Sequence, residues 1–191
     1  MSVFGFIFWG VIAVALIYIV SIYNGLIKLK HAVSKAWANI DVLLKQRHDE
    51  LPKLVETCKQ YMKYEKETLE KVMKARSSVA SAQQQGDITA LGKAESSMRL
   101  ELGSLFAVAE AYPDLKADET FQHLQTRITG LESDIADRRE FYNESVNNNN
   151  VRIEQFPDLL VARLFNFKAQ SLLEFSEQEI TDVNLNSLFN K

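Results

Sequence analysis

The chain has 191 residues, of which 47% are hydrophobic and 25% charged, enough for one domain and an appendage. Its 7 Gly and 3 Pro are too few for the frequent turns of a β-sandwich or barrel, so the composition favours long helices. A single cysteine, Cys58, excludes a secreted disulfide scaffold. The net charge of −3 gives no electrostatic sign of a nucleic-acid-binding protein.

The first part of the chain has the composition of a membrane segment. No Asp, Glu, Lys or Arg precedes Lys28, and residues 3–23 are a mostly apolar run that spans about 31 Å as a helix. A cleaved signal peptide would need basic residues before this run, and a core helix would need cover on every side. We therefore predict a transmembrane anchor over residues 1–27.

Basic residues after the apolar run indicate its orientation. Lys28, Lys30 and Lys35 follow it closely, and positive charge beside a span favours the cytoplasmic side. We expect these lysines and Tyr23 to lie at the membrane interface, in contact with lipid. The sequence thus predicts a single-pass membrane protein whose N-terminus lies outside and whose bulk is cytoplasmic.

The first apolar stripe of the soluble part predicts one helix. Apolar residues recur at steps of three and four from Val33 to Cys58, which is the spacing of one helix face. After a phase slip at Met62 the pattern continues to about Ala82. Pro52 lies inside this pattern, where it should kink the helix without ending it.

A second helix is predicted between two terminators. Gly86 suits a helix end and Asp87 suits an N-cap. The stripe that follows reaches Tyr112, where Pro113 ends it, and a loop is expected up to Asp118.

The third stripe runs over residues 121–153, with a weak point expected at the run Asn147–Asn150 because Asn is a poor helix former. A short helix is predicted over residues 159–167, and residues 168–191 are a weakly patterned tail. We therefore predict an all-α fold, in which the N-terminal transmembrane helix precedes an elongated, coiled-coil-like antiparallel bundle of three to four helices over residues 28–167.

Four charged residues fall on the apolar stripes, namely Arg47, Glu65, Glu95 and Arg138. Burying an unpaired charge costs several kcal/mol, so we expect interhelical ion pairs, most simply Glu95 with Arg138. A polar pocket is the functional alternative.

Signatures of catalysis are absent from the sequence. It contains no phosphate-binding glycine loop, nucleophile elbow or HExxH motif. His31, His48 and His123 lie far apart, without a partner at metal-ligand spacing. Cys58 lies on an apolar stripe and reads as a small buried side chain. We expect no cofactor, no metal, no nucleic-acid partner and no enzymatic activity.

Several ordered blocks resemble the LemA family. The opening block is AWANIDVLLKQRHD at residues 36–49, and later blocks follow in the same order: PKLV at 52–55, YPDLK at 112–116, FQHLQ at 121–125 and LFNF at 164–167. The resemblance implies a bacterial protein with one N-terminal span and a cytoplasmic helical domain. It carries no catalytic residues, and the family's associations are with envelope maintenance, membrane shaping and membrane-embedded zinc proteases.

Two functional hypotheses remain. The first is a non-enzymatic, homo-oligomeric scaffold that organises inner-membrane proteins or the bilayer, because the anchor and the long stripes offer binding surface. The second is an accessory subunit of a membrane-embedded metalloprotease or another membrane enzyme, with Phe156, Phe165 and Phe167 as partner contacts.

Overall fold

The computed structural model describes residues 3–174, and all regular secondary structure in this range is α-helical. The all-α prediction is confirmed. The predicted tail from residue 168 has no helix up to residue 174, and its remainder lies outside the described residues. The helices of the described range are α1 (Val3–Tyr61), α2 (Lys66–Gln85), α3 (Ile88–Ala109), α4 (Pro113–Ala117), α5 (Glu119–Glu154) and α6 (Asp158–Leu164).

The predicted first soluble helix is wrong at its end. The sequence left open whether this helix is continuous with the anchor, and in the structure α1 is one helix from the apolar run onward. The helix does not continue to Ala82, because α1 ends at Tyr61 and α2 begins after a turn. In that turn the Met62 amide donates to the Cys58 carbonyl at 2.8 Å. The phase slip at Met62 lies at this turn, but we expected the helix to continue through it.

The turn between α2 and α3 has the predicted chemistry. Gly86 ends α2 in the left-handed conformation, with φ of 66°, which a residue without Cβ adopts at no steric cost. Asp87 caps α3 by accepting a hydrogen bond from the Ala90 amide at 2.9 Å. Helices joined by so short a turn are antiparallel neighbours, and α2 packs against α3.

The expected loop over residues 113–118 is largely the short helix α4. Pro113 occupies its first turn, where the missing amide hydrogen costs nothing. Asp118 then accepts a hydrogen bond from the Phe121 amide at 2.8 Å and so caps α5. The Tyr61 hydroxyl donates to the other Asp118 oxygen at 3.0 Å.

Two positions expected to disturb helices lie inside them. Pro52 is internal to α1, and the kink expected there stays a prediction. The run Asn147–Asn150 is internal to α5, so the expected weak point does not end the helix.

The described part of the chain divides into two compact units. Within it, the first unit comprises residues 3–40 and 138–172, and the second unit comprises residues 41–137 and 173–174. The first unit's core joins α1, α5 and α6 through Ile22, Leu26, Ile153, Val161 and Ala162. The second unit's core is built from α1, α2, α3 and α5, and its fully buried side chains include Leu44, Leu54, Val72, Met98, Leu105 and Ile128.

Candidate functional site

The N-terminal part of α1 exposes apolar side chains on all its sides. Within residues 3–21 none is buried, and α1 is long and apolar enough here to cross a membrane. These 19 residues rise about 28 Å as a helix, close to the thickness of the hydrocarbon core. The exposed large side chains include Phe4, Phe6, Phe8, Trp9, Val11, Val14, Ile17 and Val20. This segment is therefore a candidate membrane span.

Protein packing begins where the exposed apolar segment ends. Ile22 is 5% exposed and Leu26 is fully buried, both against α6 and the end of α5. The ring of Tyr23 lies 4.7 Å from that of Phe165 and 5.9 Å from that of Phe167, measured between centroids. The candidate span thus continues, as the same helix, into the core of the first unit.

The predicted membrane-interface residues lie in two environments. Lys28, Lys30 and Lys35 are exposed, so their charges are available to solvent or to lipid headgroups. Tyr23 is half-buried against aromatic rings.

The predicted partner-contact residues differ in exposure. Phe156, between α5 and α6, is 80% exposed, and Phe165, after α6, is 50% exposed. Phe167 is half-buried and packs on the core of the first unit. Phe156 and Phe165 therefore present surface for a partner, whereas Phe167 is largely structural.

A buried ionic cluster lies at the centre of the second unit. Arg47 is 1% exposed and donates to a carboxylate oxygen of Glu95 and, at 2.5 Å, to one of Glu132. Burial lowers the pKa of Arg47, but the two carboxylates outweigh burial and hold this pKa above its ordinary value. The Arg99 guanidinium lies 3.7 Å from the second Glu132 oxygen. The cluster joins α1, α3 and α5.

This geometry corrects the expected pairing of Glu95 with Arg138. The partner of Glu95 is Arg47, while Arg138 is exposed, with its guanidinium carbon 5.9 Å from the ring centroid of Phe141. Glu65, the fourth charged stripe residue, accepts a hydrogen bond from the Tyr112 hydroxyl at 3.2 Å. Their positions on the apolar stripes correctly predicted that Arg47 and Glu95 are buried. The stripes did not show which helices pack together, so they did not identify the partners.

His48 takes part in a second polar contact of the second unit. Its ring nitrogen Nε2 lies 2.6 Å from the Arg76 guanidinium, and Arg76 also donates to the His48 carbonyl at 2.9 Å. Burial and the Arg76 charge lower the pKa of His48. The ring is therefore held neutral, with Nε2 as acceptor. His31 and His123 are exposed.

The described residues offer no group of three or more His, Cys, Asp and Glu side chains that could hold a metal ion. Cys58 is fully buried, and burial raises the pKa of its thiol to about 12. A thiol that stays protonated at neutral pH is a poor nucleophile.

Two contacts of the segment after α6 were not anticipated from the sequence. The Asn150 side chain exchanges two hydrogen bonds, each 2.9 Å long, with the backbone of Gln170. The Tyr142 hydroxyl donates to the Ser171 carbonyl at 3.0 Å. These contacts hold the segment against α5, and the asparagine run was the one visible signal, because buried amides inside a helix need partners.

Comparison with known proteins places these features in a family. The family model of the LemA family matches residues 36–186. The LemA protein of Metamycoplasma hominis is 27% identical over 189 residues, which cover 98% of this chain and 85% of the relative. Magnetosome protein MamQ 2 of Paramagnetospirillum magneticum is 37% identical over 67 residues, and magnetosome protein MamQ of Magnetospirillum gryphiswaldense is 36% identical over 67 residues.

The two kinds of relative differ in how far they match. The magnetosome proteins match over 35% of this chain, and the matched part is 25% of their own length. The resemblance to the Metamycoplasma protein runs nearly from end to end. Neither the family description nor these names denote an enzymatic activity. Because the family model covers most of its length, this chain belongs to the LemA family.

Proposed function

We propose that this protein is a membrane-anchored, non-enzymatic scaffold of the bacterial inner membrane that presents its helical domain to the cytoplasm as a homo-oligomer and organises membrane proteins or the bilayer. The observation that carries the proposal is the exposed apolar part of α1, which continues without a break into the core of the first unit. A helix shared by the lipid phase and a protein core couples the folded unit to the membrane.

The orientation rests on the charges that follow the candidate span. Lys28, Lys30 and Lys35 are exposed just beyond it, and lysines so placed favour the cytoplasmic side. Basic side chains next to the bilayer are also attracted to anionic lipid headgroups.

The non-enzymatic role is supported by what the buried ionisable groups do. Arg47 is neutralised by two carboxylates, His48 accepts from Arg76, and the thiol of Cys58 has a raised pKa. Ionisable groups with shifted pKa values that are buried or paired with other side chains have a structural role. A catalytic group, in contrast, needs access to a substrate.

The anchor is tested by placing charge in the candidate span. Lysine near the centre of a membrane helix costs about 2.5–3.5 kcal/mol per residue, so V14K/I17K should move the protein from the alkaline-resistant membrane fraction to the soluble fraction. The control S77K/S78K adds the same charge at exposed positions of α2 and should leave the protein in the membrane. Wild-type protein in the soluble fraction would contradict the anchor.

The scaffold role is tested by the assembly state of the full chain. Sedimentation in detergent should give a multiple of the 21.8 kDa chain mass, and crosslinking in cells should yield products of this chain with itself. A strict monomer from which no crosslinked product is recovered would overturn the proposal.

A further inference from the structure

Helix α6 has one face in the core and one face that residues 3–174 leave uncovered. Val161 and Ala162 are buried with Ile22 and Leu26 of α1. On the other side, Leu160 is 61% exposed and Leu164 is 75% exposed.

Large apolar side chains are exposed on α6 and at both of its ends. Leu160 and Leu164 are four residues apart within α6, which is the spacing of one helix face, while Phe156 just before the helix and Phe165 just after it are also exposed. Exposed apolar side chains grouped in this way mark a site of contact with protein or membrane. We name these four residues the α6 patch.

The height of the α6 patch along α1 indicates what covers it. From Val3 to Ile22 the helix rises about 28 Å, nearly the full thickness of the hydrocarbon core. Because α6 packs on Ile22 and Leu26, it lies where hydrocarbon gives way to lipid headgroups. An apolar patch at this level faces the bilayer interface.

Cationic side chains lie beside the α6 patch. Lys30 and Lys168 line a polar pocket beside Phe165 and Tyr23, and Arg163 is exposed on α6 itself. The acidic residue of α6, Asp158, is buried and accepts from Arg152 at 2.5 Å. Glu154, at the end of α5, is the exposed carboxylate nearest in sequence.

We propose that α6 is a second membrane contact, in which the α6 patch inserts into the interfacial layer of the bilayer that α1 crosses. Lys30, Arg163 and Lys168 then meet the phosphate groups of the lipids. An apolar face bordered by basic residues is typical of helices that lie in this layer. The inference rests on the proposed anchor, and it assigns to lipid the surface that the sequence offered to a protein partner.

The test measures depth with nitroxide labels on the full chain in vesicles of phosphatidylcholine and phosphatidylglycerol. L160C and L164C carry the probe, and both positions are exposed, so substitution leaves the core intact. Cys58 is fully buried, and the wild-type chain controls for its labelling. A label at I17C gives the reference value for the candidate span. A label at S77C, at an exposed position of α2, gives the reference value for a water-exposed site.

Collision with oxygen, which concentrates in lipid, is compared with collision with a water-soluble nickel complex. The proposal expects labels at residues 160 and 164 to favour oxygen, as at residue 17, while the label at residue 77 favours nickel. Preference for nickel at 160 and 164, with oxygen preferred at 17, overturns the α6 contact and leaves the anchor standing. Nickel preference at residue 17 as well overturns both.

A protein partner gives a third result, distinct from lipid and from water. Labels at residues 160 and 164 would then be immobilised and shielded from both oxygen and nickel. That result overturns the lipid contact and assigns the α6 patch to a protein interface.

Discussion

The two units differ in which side chains they turn outward. Among the large apolar side chains that are exposed within residues 3–174, the second unit contributes Val42, Tyr64 and Leu100. The first unit contributes all the others, including the candidate span and the α6 patch. The second unit thus has the surface of a protein in water, whereas much of the first unit's surface suits lipid.

The units also differ in the polar contacts that hold their elements together, although the first unit too has a buried ion-pair partner, Asp158, which accepts from Arg152. The second unit neutralises a buried guanidinium with two carboxylates from other helices. The first unit pairs the amides of Asn149 and Asn150 with the backbone of residues 168–170. Charge therefore joins helices in the second unit, and amides fix a non-helical segment in the first.

The largest change in the free energy of unfolding is expected when the ionic cluster is broken. Arg47→Met keeps an apolar stem but leaves Glu95 and Glu132 without their buried partner, and loss of one partner from a buried ion pair costs about 3–5 kcal/mol. Urea unfolding of the full chain in detergent, followed by circular dichroism, measures the loss.

The control restores the wild-type net charge of the cluster. In R47M/E95Q one uncompensated carboxylate is removed, while Glu132 is 17% exposed and can reach solvent, so stability should recover in part. A free energy of unfolding for R47M within about 1 kcal/mol of wild type would be the size of a surface ion pair and would contradict a structural role for the cluster.

A smaller loss is expected at a close approach in the second unit. A Cβ on Gly92 would lie 2.3 Å from the Glu174 carbonyl oxygen, so Gly92→Ala forces the segment away. Overpacking of this kind costs about 1–3 kcal/mol, against a gain of about 1 kcal/mol in helix propensity.

Gly130→Ala is the matched control, since Gly130 is exposed within α5 and its added Cβ meets nothing within 4 Å. It should stabilise the protein by up to about 1 kcal/mol. Equal stabilisation by both substitutions, measured in the same urea series, would show that the segment at Glu174 does not rest on Gly92.

Helix positions followed from the apolar spacing, but the break after Tyr61 did not. Leu54, Cys58 and Met62 keep steps of four residues, and no Gly or Pro marks the turn. The apolar face therefore continues in the sequence where the backbone changes direction. Periodicity reports which face is buried, not where the hydrogen-bonding ladder stops.

The candidate sites were predictable to different degrees. The candidate span could be predicted from its apolar composition, and Phe156 could be predicted as a surface residue from its place next to Pro157 between two helical stripes. The partner Glu132 was missed because it lies one position beyond the stripe residue Leu131, and its role depends on three helices meeting. The contact of Asn150 with Gln170 involves a non-helical segment whose path no periodic pattern records.

In the first unit, Asn150→Ala tests the role of the amides. It removes two hydrogen bonds to Gln170, each worth about 1 kcal/mol, and gains roughly half a kcal/mol in helix propensity. We expect a net loss of about 1.5 kcal/mol and faster hydrogen exchange at the Gln170 amide.

Asn148→Ala, at an exposed position of α5, serves as the control and should be neutral or slightly stabilising. Unchanged exchange at Gln170 in the Asn150 variant would show that the segment is held by other contacts.

The smallest effect is a pH dependence in the second unit. Since burial and Arg76 lower the pKa of His48 in the folded state, the unfolded chain binds a proton more readily. Stability from this group is therefore fully present above the unfolded pKa of about 6.5 and is lost as the pH falls below it.

The difference in unfolding free energy between wild type and His48→Gln, measured in urea from pH 8 to pH 5, isolates this contribution. The wild type should become less stable relative to the variant as the pH falls. A difference that does not vary with pH would mean that the folded protein does not discriminate against the charged ring.

The proposed contrast between a lipid-facing first unit and a water-facing second unit is tested most directly by labelling from outside the cell. A membrane-impermeant maleimide should modify V3C, at the start of α1, in intact cells. It should modify S77C, on exposed α2, only after the membrane is permeabilised. Labelling of S77C in intact cells, or recovery of the protein in the soluble fraction, would contradict a membrane anchor with a cytoplasmic helical domain.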